Sequence, residues 1–203
     1  MDVRIGPAPS SELGPLARVV AGAAGWIAGG EPPRVFLALG RHRGLFRSWL
    51  PFAGTLLLRT RLPRGDVELV VLRTACNCCS PYEWAQHVAL ARRAGLGAGV
   101  IAAVPEWREE EKALTERQQL LLAATDELHS NRVIAGATWA QVASELSENE
   151  IIELCMLVGH YEMVAMTLNS LGVEPEPGAL AALDDAARAE AGRLQAALDA
   201  SGA

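Results

Sequence analysis

The chain predicts an all-α fold of paired helical hairpins with a weak internal repeat, assembled as an oligomer. Three observations carry this. Ser or Thr followed three residues later by Glu or Gln recurs ahead of apolar stretches, the pattern that opens helices. Pro63, Pro81, Pro105, Pro175 and Pro177 fall between the periodic stretches, where an all-helical chain keeps its prolines. Ala, Leu and Val dominate, Lys is nearly absent, and strand signals are weak.

In order, helices are expected over 12–28, 33–40, 43–58, 66–79, 81–95, 97–103, 115–129, 138–145, 148–172 and 178–199. Ser80-Pro81-Tyr82-Glu83 is a helix start, with Ser80 as N-cap and Pro81 at the first helical position. Thr115-Glu-Arg-Gln118, Thr138-Trp-Ala-Gln141 and Ser147-Glu-Asn-Glu150 open the three later helices. Residues 1–11, 29–33 and 173–178 read as arms or linkers. This divides the chain into an N-terminal arm and helix (1–34), a helical domain (35–175) and a C-terminal helix (176–203). The repeat pairs Tyr82-Glu83 through Gly95-Leu96 with Tyr161-Glu162 through Gly172-Val173, and only the first copy keeps a histidine one turn on.

Composition excludes some functions. A net charge of −6 without a basic stripe argues against nucleic acid. The longest uncharged runs, among them Val19 to Gly30 and Val133 to Ser144, are too short to cross a bilayer, and the first lacks the basic flank of a signal peptide. A cytoplasmic protein without membrane contact is expected, with Cys76, Cys78, Cys79 and Cys155 as reduced thiols.

Chemistry concentrates between Glu68 and His87. Two helices meet at the Ser80-Pro81 corner, so Glu68 can reach His87 across the hairpin. His87 follows Glu83 by one turn on the same face. A carboxylate that orients an imidazole makes a general base near neutral pH. Glu83 also has a plainer job, reaching back to cap the Ser80 N–H. Cys76 and Cys79 form a C-x-x-C, readable as a redox dithiol or as small buried apolar side chains. At a helix C-terminus the dipole disfavours thiolate, which favours the second reading. No second C-x-x-C or His pair completes a metal set, so neither metal nor cofactor is expected.

The run Glu68-Leu-Val-Val-Leu-Arg-Thr-Ala, then Tyr82-Glu83-Trp84-Ala-Gln-His87 and Ala94-Gly95-Leu96, resembles the carboxymuconolactone decarboxylase family, which includes the alkylhydroperoxidase-D-like proteins. Leu45-Phe-Arg-Ser-Trp49, Asp126-Glu-Leu-His129 and Val158-Gly-His-Tyr161 extend the likeness over about residues 35–175. The resemblance implies helical hairpins assembled as a homotrimer or homohexamer, with pockets near subunit contacts. In the peroxidase branch a C-x-x-C stands between the glutamate and the histidine. Counted from His87, those two positions hold Ser80 and Glu83 here, and Cys76-x-x-Cys79 lies one helical turn away.

The leading expectation is therefore cofactor-free decarboxylation or related proton transfer on a small carboxylate or lactone. His87 serves as base, Glu68 or Glu83 orients it, and Tyr82 donates a hydrogen bond. Arg73, Trp84 and His160 are the candidate substrate contacts. The alternatives are a thiol peroxidase running on Cys76 and Cys79 and a non-catalytic oligomeric binding protein.

Overall fold

The computed structural model describes residues 3–9, 11–28, 30–108 and 111–201. Among them every regular element is helical: α1 (Pro15–Ala28), α2 (Arg34–Leu39), α3 (Arg43–Leu58), α4 (Arg64–Asn77), α5 (Pro81–Arg93), α6 (Ala98–Ala103), α7 (Glu116–Asn131), α8 (Gly136–Glu145), α9 (Glu148–Leu171), α10 (Pro177–Ala181) and α11 (Asp185–Ser201).

Helix α4 sits at the centre. Val67, Leu69, Val70, Val71, Leu72 and Ala75 are all fully buried, because α5, α7 and α9 cover it from several sides. A helix packed on several sides needs apolar residues on more than one face, and its charged residues then find partners inside the bundle. Truncating Leu69 to Ala would cost about 2–5 kcal/mol. The long helix α9 is long and apolar enough to cross a membrane by composition, but half of its most apolar window is buried inside this bundle. It escaped the uncharged-run criterion because Glu153 and Glu162 interrupt it.

The α4–α5 corner is built by its backbone. Ser80 N–H donates to Ala75 O at 2.8 Å and Cys79 N–H to Cys76 O at 3.2 Å, the two bonds of a Schellman C-cap. Cys79 takes the left-handed position at φ 47°, where Gly is usual, at a cost of about 1 kcal/mol. Ser80 then caps α5, accepting from Glu83 N–H at 3.4 Å. From α9, the Asn169 amide donates to the Cys78 and Cys79 carbonyls and pins the corner.

Four details differ from the sequence reading. Helix α8 starts at Gly136 behind Ala135, so Thr138 lies inside it and donates to Glu127 instead of capping. The C-terminal helix is two helices, because Asp184 starts α11 by accepting from Ala187 N–H at 2.9 Å. The N-terminal arm is docked: Arg4 and Ile5 N–H donate to Leu171 O, and Ala8 N–H donates to Leu37 O. The stretch 173–178, read as a linker, contains the buried Glu176.

Candidate functional site

A pocket of about 660 Å³ opens between α2, α3, α5, α9 and the start of α10. Most of its wall is apolar. Its polar groups come chiefly from the α4–α5 hairpin and from α9.

Glu68 is fully buried on α4. One carboxylate oxygen, Oε2, meets His87 Nδ1 at 2.6 Å, and the other pairs with the Arg64 guanidinium. Arg64 in turn donates to the Leu57 carbonyl. With Nδ1–H directed at Glu68, the imidazole presents its Nε2 lone pair. The His87 ring is held edge-on against Tyr161, centroids 5.0 Å apart.

Glu83 is also buried, yet neither of its oxygens has a hydrogen-bond partner. It does not cap Ser80, whose N–H is already bonded to Ala75; the expected capping role is therefore corrected. Burial raises its pKa to about 8, and the nearby Ser80 hydroxyl opposes that shift without meeting hydrogen-bond geometry. At neutral pH this acid keeps its proton. The site thus combines a basic imidazole with an uncharged carboxylic acid one turn away, both lining the pocket.

Tyr82 lines the pocket too, but its hydroxyl is engaged. It accepts from Val35 N–H and donates to Glu176 Oε1, each at 3.0 Å. Glu176 further receives the Gln86 amide and Arg34 N–H. This makes Tyr82 a brace between α5, α2 and the segment before α10, not a free donor. His160 lies across the pocket, stacked on Trp49 with ring centroids 6.0 Å apart. Burial, and then the neighbouring His87, lower its pKa to about 4, so it stays neutral.

Two expected substrate contacts are corrected. Arg73 faces away from the pocket, gripping Asp126 through two bonds of 2.6 and 2.9 Å and the carbonyls of Val104 and Pro105. Trp84 is buried in the core, its Nε1–H bonded to Ala187 O of α11. The dithiol reading loses its geometry as well. Cys76 is buried against Glu190, 3.8 Å from Oε1, and burial followed by that carboxylate pushes its thiol far up. Neither Cys76 nor Cys79 lines the pocket. Cys78, His129 and Glu162 come within 4.8 Å of one another elsewhere, but Glu162 is already paired with both His129 and Arg132.

The sequence reading missed Glu176, Trp49 and Gln86. A buried acid beside Pro175 and Pro177 gives no periodic signal. The one available cue was an acidic residue in a stretch otherwise poor in polar groups.

Residues 43–126 match the profile of the carboxymuconolactone decarboxylase family. Over this segment the chain is similar to that family. No curated protein matches the chain. Among solved structures, it is similar to the alkylhydroperoxidase AhpD core of a peroxidase-related protein from Ralstonia eutropha JMP134. That likeness has a TM-score of 0.76 and 18% identity over 86% of this chain and 94% of that one. A peroxidase-related protein from Silicibacter sp. TM1040 gives 0.76 at 14% identity, over 88% and 94% of the two chains. The debrominase Bmp8, solved with 2,3,4-tribromopyrrole, gives 0.75 at 15% identity, over 96% and 98%. At these identities the likeness is one of fold.

Proposed function

We propose that this protein, similar over residues 43–126 to the carboxymuconolactone decarboxylase family, is an acid–base enzyme that moves a proton at carbon on a small molecule, without cofactor or redox thiols. The observation that carries this reading is the pairing, in one pocket, of an imidazole oriented by Glu68 with a buried, unpartnered Glu83. His87 Nε2 removes a proton from a carbon next to a carbonyl. The C–H electron pair moves into the carbonyl, and Glu83 gives its proton to the oxygen that gains charge. Decarboxylation reaches the same enol by another bond: the electron pair of the C–carboxylate bond moves into the carbonyl as carbon dioxide leaves, Glu83 again protonates the oxygen, and a proton then returns to carbon. Free thiols on all four cysteines fit a cytoplasmic setting. Exposed Ile152, Met156, Met163 and Met166 on α9 offer an apolar face for the homotrimer or homohexamer that the family resemblance implies.

The test is deuterium incorporation from D₂O at the α-carbon of cyclic ketones and lactones, followed by NMR. His87→Ala should slow exchange by at least about 100-fold. The wild-type rate should fall as pH rises through about 8, where Glu83 loses its proton. An unchanged rate in the His87 variant sinks the proposal.

A further inference from the structure

The same pocket holds a second set of polar atoms that this proton chemistry does not use. Trp49 Nε1 and His160 Nδ1 are both buried without a hydrogen-bond partner. Both residues line the pocket, and their rings lie nearly parallel, 14° apart. His160 meets Tyr161 edge-on at 5.2 Å, and Tyr161 meets His87 at 5.0 Å. A run of rings thus joins this second polar station to the first. Buried polar atoms left without partners in a cavity wall are places where a ligand recovers hydrogen bonds.

The charges around the pocket restrict that ligand. Arg64 is taken up by Glu68 and the Leu57 carbonyl, and Arg92 by Asp184 and the Ala182 carbonyl. Arg93 also lines the pocket but is exposed to solvent. A carboxylate drawn inward would shed its water near the Glu68 and Glu176 carboxylates, while Arg93, the lining arginine without a partner among the described residues, stays in solvent. An uncharged oxygen would meet the Trp49 N–H and the protonated Glu83.

We propose that the substrate is an uncharged cyclic carbonyl compound with an apolar body, and that Trp49 and His160 form the subsite for its far end. The indole N–H donates to an oxygen there, and neutral His160 adds a donor or acceptor at Nδ1. The ring packs on Val35, Leu50, Leu57 and Val164, which presents the reacting carbonyl to His87 and Glu83. This inference rests on the acid–base reading and narrows the expected carboxylate or lactone to the uncharged member.

The test is calorimetric titration of the full chain near neutral pH with γ-phenyl-γ-butyrolactone and with its ring-opened acid, 4-hydroxy-4-phenylbutanoate. The lactone should bind at least about tenfold more tightly than the acid. Trp49→Phe should weaken lactone binding about fivefold or more. If that variant fails to fold, His160→Phe should give the same loss. Equal or tighter binding of the acid, no lactone binding at millimolar concentration, or undiminished binding by a folded Trp49 or His160 variant would overturn the proposal. Lactone binding in the predicted order without α-proton exchange would sink the acid–base reading alone. Exchange that persists while the open acid is preferred would sink the substrate class alone.

Discussion

Among the described residues, two histidine–glutamate pairs are of nearly the same length. His87 Nδ1 lies 2.6 Å from Glu68, and His129 Nδ1 lies 2.7 Å from Glu162. What differs is enclosure. In the first pair the side chains are 8% and 0% exposed, against 32% and 15% in the second. The inner pair opens on a cavity beside a neutral acid. The outer pair is answered by Arg132, itself 70% exposed, and by solvent. A hydrogen-bonded imidazole–carboxylate couple is therefore no signature of catalysis by itself. The couple becomes a base of use only where water is excluded and a complementary acid stands by.

The sharpest way to break this comparison is to neutralise each acid. Glu68→Gln should reduce α-proton exchange by about 100-fold or more, because an amide no longer fixes the Nδ1–H tautomer or steadies the charged imidazolium. Glu162→Gln should leave exchange within about twofold and cost no more than about 1 kcal/mol of stability in chemical denaturation. Equal losses in the two variants would dissolve the distinction.

A second effect lies in stability against pH. Glu83 is raised from 4.5 to about 8 in the fold, so the native state holds a proton that the unfolded chain releases. Its contribution is intact below about pH 4.5 and is lost as pH rises toward 8, a change on the order of a few kcal/mol. Melting curves should show the wild type losing stability over that window, and Glu83→Gln should flatten the profile. A smaller effect concerns the corner between α4 and α5. Cys79→Gly relieves the left-handed backbone and should change stability by no more than about 1 kcal/mol, on the favourable side, with exchange activity kept. Loss of turnover in that variant would restore the dithiol reading.

The helices were legible because their start signals are local. Thr115 with Gln118 and Ser147 with Glu150 form the capping boxes that their spacing announces. The Ser80-Pro81 corner was legible for the same reason, and with it the meeting of Glu68 and His87. What could not be read was which partner each side chain finds across the fold. Nothing in the sequence near Arg73 reveals that Asp126 waits on α7, and nothing near Tyr82 reveals Glu176. Glu83 and Glu162 occupy matching places after Tyr82 and Tyr161, yet one is left unpartnered and the other is paired. Long-range packing makes that difference, and local pattern does not carry it.

The wall facing the acid–base groups comes from another part of the chain. Glu68, Glu83 and His87 fall inside the segment shared with the family, whereas His160, Tyr161, Val164, Glu176 and Leu183 lie beyond it. The hairpin proposed to react and much of the surface that would choose its cargo are thus separate stretches of one chain, joined by Glu176, by the Tyr161 ring against His87 and by the Asn169 amide on the corner. Changes in the second stretch that spare Tyr161 would retune selectivity while Glu68 and His87 kept their bond.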